Sequence, residues 1–478
     1  MGQEIQTSQF SSEDFERFKA RLSAETALLQ QWLERGQFSH GGDVGGFELE
    51  SWLVDKDALP APVNELFLER LDSPLASPEL ARFNVEVNST PRQLSGSALR
   101  DMHDELLQTW AHCRATAASL DADLVMIGIL PTVTSDMLSL ANMSNMRRYR
   151  ALNQQVFRLR HGKPMELNIK GEEHLQTVHR NVMLEAAATS FQIHLKVTQA
   201  DAVRVVNAAM VLSAPMVALC ANSPFLFGAN LWDETRIPLF EQAVMVGGYD
   251  GAAFGPIRRV TFGNGYLRES PLEWFRENLE HYPVLLPMLV DDPPERLSHL
   301  RLHNGTIWRW NRPLVGFDED GTPHLRVEHR VCPAGPSVVD TIANAALFYG
   351  AVYELARTEK PLESKLDFGQ ARDNFYQAAK RGLRASIKWV NGETVPIRQL
   401  LKEYLLPLAY LGLEKMAIDR ADIDAFLDIV AARLESGRNG ALWQREYVAR
   451  HSADMRMLTE AYLKRQNSGL PVHEWDTE

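Results

Sequence analysis

The chain has 478 residues, 45% of them apolar and 23% charged, so it can bury its own core as one large or two fused domains, and disorder is excluded. Its 50 basic and 62 acidic side chains give a formal charge of −12, which excludes the basic surface of a protein that grips a nucleic-acid backbone. Cys113, Cys220 and Cys332 are too few and too scattered for a disulfide framework or a cysteine zinc site, the pattern expected in a reducing cytoplasm.

The opening MGQEIQTSQF is polar, without the basic start and apolar run of a secretory signal, and Gln6 stands where N-myristoylation requires Ser or Thr. Residues 11–35 carry Phe15, Phe18, Leu22, Leu29 and Trp32 at helical spacing behind a Ser-Ser-Glu-Asp start, which predicts an amphipathic helix ending near Gly36. FELESWLVD (47–55) and FNVEVNST (83–90) alternate acidic or polar with apolar residues and predict two strands with one polar face each. A helix is expected over about 95–118, a buried strand in LVMIGILP (124–131), and an alternating strand in SFQIHLKV (190–197). Residues 201–221 predict an apolar core helix. Asn207, Ser213 and Pro215 interrupt it, so no uninterrupted apolar run reaches the ~18 to 20 residues of a membrane span. Residues 225–312 are rich in Gly, Pro and aromatic side chains and read as loops lining a cleft. HLRVEHRVCP (324–333) predicts a fourth polar-faced strand, followed by a helix over 337–357 and an almost wholly helical chain from 371 to about 466. The fold class is therefore α+β, an antiparallel sheet with a polar face and helices on its other side. The expected setting is the cytoplasm, with no membrane and no nucleic acid as partner.

Alternate residues of a strand share a face, so Glu48 pairs with Glu50, Glu86 stands between Asn84 and Asn88, and Glu328 stands between Arg326 and Arg330; His194 lies between Ile193 and Leu195. Like charges on one sheet face repel, and a hard divalent ion relieves that repulsion. Mg²⁺ prefers carboxylate and phosphate oxygens, which suits Glu48, Glu50, Glu86 and Glu328, while Arg326 and Arg330 suit phosphate oxygens. An alternating Glu/Val strand is also the ordinary mark of a solvated face. Walker A, Gly-x-Gly-x-x-Gly, His-Glu-x-x-His and Gly-x-Ser-x-Gly patterns are absent. FGNGYLRES (262–270) reads as a plain turn.

FELESWLVD, FNVEVNSTP, SFQIHLKV, ALCANSPF, RVEHRVCPAGPS and NFYQAAKRGL, in this order over roughly residues 42–385, resemble glutamate–cysteine ligase family 2, carboxylate–amine ligases related to glutamine synthetase. The resemblance implies a sheet like that of glutamine synthetase and guanidino kinases, ATP and Mg²⁺ as cofactors, and an acyl (γ-glutamyl) phosphate captured by an amine. It implies Glu48, Glu50, Glu86 and Glu328 as metal ligands, and His194 and Arg326 on the nucleotide. It further implies Arg330 as the catalytic arginine, and Arg148, Tyr149 and Arg236 around an amino-acid substrate. The family's His-x-His-x-Gly is here Gln192-Ile193-His194-Leu195-Lys196, so Lys196 is expected to hold an anionic substrate group or to fill part of the site. The expected organisation is an N-terminal helical extension (1–40), a glutamate–cysteine ligase-like catalytic domain (41–385) and a helical C-terminal region (386–478), with packing or homo-oligomerisation as the default role of the additions. Two alternatives are a catalytically degenerate relative that binds nucleotide or amino acid, and a phosphotransferase acting on a guanidino or amine substrate.

Overall fold

A computed structural model describes residues 9–246 and 258–478. The first eight residues, on which the reading of the N-terminus rests, and residues 247–257 of the expected loop stretch lie outside the described residues. Helix α1 (Ser12–Glu34) is opened by a capping box in which Ser11 accepts from the Asp14 N–H and the Asp14 carboxylate accepts from the Ser11 N–H. Phe18, Leu22 and Leu29 are buried along it.

The chain then builds strands β1 (Val44–Asp55), β2 (Ala76–Pro78), β3 (Asn84–Asn88) and β4 (Ser190–Val197), followed by helices α2 (Ala202–Cys220), α3 (Leu272–His281) and α4 (Ser298–Gly305). Strands β5 (Asn311–Phe317) and β6 (Pro323–Pro333) and helix α5 (Val338–Ala356) complete the frame. The strands order as β5-β6-β4-β1-β3-β2, every neighbouring pair antiparallel. This is the α+β sheet that the alternation predicts. Phe47, Leu49, Val85, Phe191, Ile193 and Val327 point to one side, into a core shared with α2 and α5. The other side carries the charged residues.

Helix α2 is long and apolar enough to cross a membrane, yet 89% of that window is buried inside the fold, as a core helix requires. Its polar groups have partners there: Asn207 exchanges two hydrogen bonds with the Leu267 backbone at 2.9 Å, and Ser213 accepts from Asn311.

Three expectations are corrected. The strand foreseen over 124–131 ends at Val125, because the backbone beyond it is engaged by side chains: Met126 N–H donates to Gln466 and the Met126 carbonyl accepts from Tyr462, both at 2.8 Å. The stretch 225–312 is not all loop. It holds Arg236–Ala243, α3 and α4, helices of eight to ten residues, too short for a period to emerge between the prolines. The almost wholly helical stretch expected from 371 is interrupted after Arg381, since Gly382 adopts φ +53° with the Asp233 carboxylate where a Cβ would stand; a hairpin of Ser386–Lys388 with Thr394–Pro396 follows.

The C-terminal helices lie against this frame. Leu406–Lys415 and Arg420–Ser436 pack on α5, where buried Arg433 donates to Asn344 and faces Asp340 at 3.6 Å. Trp443, Tyr462 and Trp475 share a second core with Trp52 and Phe83 of the sheet.

Candidate active site

The antiparallel register assembles the polar residues of five strands. Glu50 on β1 sits opposite Glu86 on β3, and Glu48 opposite Gln192 on β4. Glu328 on β6 sits between His194 on β4 and Arg312 on β5, while Arg326 faces Lys196. Two groups of ligand atoms result, each within 4.8 Å of one another: Glu50, Glu79 and Glu86, and Glu48, His194 and Glu328.

The first group is all oxygen. Glu50 accepts from the Ser190 N–H at 2.6 Å and from Gln192 at 2.8 Å, and Glu86 accepts from Ser77 and Asn88 at 3.1 Å. Oε1 of Glu79 and Oε2 of Glu86 are buried without a partner, as is Oε2 of nearby Glu48. Burial pushes the Glu86 carboxyl up to about 8, with Glu48 adding to it, and raises Glu79 and Glu50, where Arg330 opposes the rise. Burial beside Glu50 likewise lifts Glu185 to about 8. Buried carboxylate oxygens that face one another fit a hard divalent cation, and with Oε1 of Glu79 and Oε2 of Glu86 still without donors the group Glu50, Glu79 and Glu86 suits Mg²⁺.

The second group is partly paired. Arg312 holds Glu328 through two hydrogen bonds of 2.8 Å, and Arg330 adds a third at 3.1 Å. Burial would raise Glu328, but Arg312, Arg330 and His194 outweigh it and hold the carboxyl far below its ordinary range. His194 lies 3.5 Å from Glu48 and 3.7 Å from Glu328, and burial lowers its pKa, so the neutral ring is free to ligate.

Gln192 ties the two groups together. Its amide nitrogen donates to Glu50 and its carbonyl oxygen accepts from the Arg330 guanidinium. The residue that departs from the family motif thus joins a candidate ligand to the candidate catalytic arginine.

A cavity of about 320 Å³ opens over this face. Arg148 and Tyr149 line it, with Arg148 donating to the Tyr149 hydroxyl at 2.8 Å; Glu48, Arg326 and Glu328 line it too. Two expectations are corrected. Arg236 is 1% exposed and lies outside the cavity: it pairs with Glu234 at 2.9 Å and donates to the carbonyls of Arg330 and Val331, bracing the strand rather than facing a substrate. Lys196 holds no free position for an anionic substrate, because both oxygens of Asp318 accept from it at 2.8 Å.

Sequence reasoning passed over Glu79, Glu185 and Arg312. Glu79 lies in the connection between β2 and β3 and Glu185 in the 3₁₀ turn Val182–Ala187, so no strand period marks them. Arg312 does lie on a strand, but Pro313 beside it hides the alternation.

A family profile described as glutamate-cysteine ligase family 2 (GCS2) matches residues 44–461. The chain is similar in fold to a glutamate–cysteine ligase of Francisella tularensis solved in complex with AMP, with a TM-score of 0.55 at 11% identity, covering 92% of this chain and 91% of that one. It is also similar to a bifunctional glutathione synthetase of Pasteurella multocida, with a TM-score of 0.51 at 10% identity, covering 93% of this chain and 55% of that one. No curated protein matches the chain.

Proposed function

The chain belongs to glutamate–cysteine ligase family 2, and from that premise we propose that it is an ATP- and Mg²⁺-dependent carboxylate–amine ligase that takes a substrate carboxylate through an acyl phosphate to an amide. The observation that carries this reading is the convergence of Glu50, Glu79 and Glu86 on the polar face, where Glu79 and Glu86 each keep a buried oxygen without a donor and Gln192 joins Glu50 to Arg330.

Bound Mg²⁺ would neutralise phosphate charge and polarise the phosphoryl group in transfer. The residues of the chain have separable tasks. Glu50, Glu79 and Glu86 would hold the cation, Glu48 and His194 are the further side chains that could ligate, and Arg330 would meet the charge that develops on the transferred phosphoryl group. Arg312 and Glu328 fix Arg330 by sharing a carboxylate with it. The substrate carboxylate attacks the terminal phosphorus, ADP leaves, and the amine then displaces phosphate from the acyl carbon. Arg148 supplies a guanidinium for the α-carboxylate of an amino-acid substrate, with Tyr149 beside it. Glutamate as the acid and cysteine as the amine follow the family. Glu50 is bound to Gln192 where the family places a histidine, so the panel of amines has to extend beyond cysteine.

The test is ADP release with ATP, Mg²⁺, glutamate and a panel of amines, with hydroxylamine trapping of the acyl phosphate. Substrate-dependent ADP that disappears in Glu50→Gln and Arg330→Ala is expected. No substrate-dependent ADP from any pair sinks the reading, and turnover retained in both variants moves the site elsewhere.

A further inference from the structure

A second cavity, of about 370 Å³, is lined by Gly171, Glu172, Leu231, Lys380, Arg381 and Arg384. It shares no lining residue with the cavity over the acidic groups. One wall is the tip of the hairpin of Met165–Lys170 with His174–His179; another is the end of the helix Phe368–Arg381 with the 3₁₀ turn Gly382–Arg384. Backbone contacts hold both walls. The Glu173 N–H donates to the Asn230 carbonyl and the Trp232 indole N–H to the Lys170 carbonyl, each at 2.8 Å. A Cβ at Gly171 would stand 2.4 Å from the Leu231 backbone, so the tip seats this closely only as glycine. On the helical wall the Glu234 N–H donates to the Ala379 carbonyl at 2.8 Å.

In a chain of net charge −12, three of these six residues are cations and one is an acid. Arg384 pairs with buried Asp233 at 2.8 Å, but the same carboxylate oxygen also accepts from Arg445, so one acid serves two guanidiniums. Among the described residues the side chains of Lys380 and Arg381 make no ion pair or hydrogen bond, and Glu172 pairs with neither. Basic residues in a last helical turn suit the negative end of the helix whatever stands opposite them. Here they border an enclosed volume together with a third cation. Like charges on fixed elements around one volume repel, and an oxyanion that accepts from several of them relieves that repulsion.

We propose that Lys380, Arg381 and Arg384 form a binding site, separate from the candidate active site, for a small multivalent oxyanion that carries phosphate or carboxylate groups. Lys380 and Arg381 supply the free charges, and Arg384, held by Asp233, supplies a fixed donor edge. Glu172 opposes the ligand and limits its affinity. The site stands on the cavity and its unpaired cations, and holds whether or not the chain is a ligase.

Calorimetry on the full chain tests it, with inorganic triphosphate and citrate as separate probes, at fixed ionic strength and without divalent cations, so that the acidic groups of the active site repel both. The double variant Lys380→Gln, Arg381→Gln should lose roughly tenfold to a hundredfold in affinity for at least one probe. Glu172→Gln should gain roughly twofold to tenfold for the same probe, a change that impaired folding does not produce. A second double variant, Lys163→Gln, Arg180→Gln, removes two exposed cations that line neither cavity and controls for the general field of the protein. All four substituted positions of the two double variants are exposed, so melting temperatures should match wild type. A loss confined to triphosphate assigns the site to phosphate groups, and one confined to citrate assigns it to carboxylates. Four results overturn the site: no binding of either probe to wild type, affinities within about twofold of wild type in Lys380→Gln, Arg381→Gln, an equal loss in the control pair, or no gain in Glu172→Gln.

Discussion

Glu25 of the N-terminal helix places a carboxylate oxygen 2.5 Å from Nδ1 of His299, with both side chains buried. The other oxygen accepts from the Leu300 N–H at 2.8 Å, and Phe18 meets the His299 ring edge-on at 5.3 Å. Helix α1 precedes the family match, which begins at residue 44, yet it is fastened to the helix that forms one wall of the cavity. Glu25→Ala leaves a buried imidazole and a buried N–H without an acceptor, at a cost of about 2–4 kcal/mol. Thermal unfolding of this variant is expected several degrees below wild type, and Glu25→Gln, which retains an acceptor for Leu300, should fall between them. Equal melting temperatures for all three would show that the contact holds nothing.

Gln192 links Glu50 to Arg330, so its replacement separates positioning from ligation. Gln192→Ala leaves both charged groups in place but releases their common tether, and ADP formation should fall roughly tenfold to a hundredfold through kcat. Gln192→Glu keeps an acceptor for Arg330 and sets a carboxylate against Glu50, so the loss should be larger. Steady-state kinetics in ADP release check both, and wild-type kcat in either variant would remove Gln192 from the site.

How much of this was legible in the sequence depends on what fixes each residue. Glu48, Glu50, Glu86 and Glu328 announce themselves because a strand with one buried face must alternate, and the register then brings them together. Glu79 and Glu185 reach the same cavity from a connection and a 3₁₀ turn, where tertiary packing sets the direction of the side chain and no period records it. Arg236 and Lys196 show the converse. The position of Arg236 follows a family pattern and Lys196 departs from one, but the structure gives each a local acid, Glu234 and Asp318, that nothing in the spacing reveals.

Lys196 supplies a test of that distinction. Its bond to Asp318 is half-buried and close to the surface, so Lys196→Ala should cost about 1 kcal/mol or a little more. Affinity for ADP with Mg²⁺ and for glutamate, measured by calorimetry, should change less than about threefold, because the ammonium is engaged by Asp318 and not by a ligand. A larger loss of either affinity would return Lys196 to the site.

The acidic group also fixes a pH dependence with a definite sign. Glu86 and Glu185 titrate near 8 in the folded chain and near 4.5 when unfolded. Between those values the folded state binds more protons than the unfolded state, so stability falls as pH rises. The contribution of these two residues is complete below about pH 4.5 and lost as pH passes through about 8. Without a divalent cation, the melting temperature should therefore be a few degrees lower at about pH 8 than at about pH 6, once the background from other groups is removed with the double variant Glu86→Gln, Glu185→Gln. Mg²⁺ binds the ionised carboxylates and reverses this: it should raise the melting temperature more at about pH 8 than at about pH 6, and by much less in Glu86→Gln. A Mg²⁺ shift independent of pH and of Glu86 would place the cation away from the Glu50–Glu79–Glu86 group.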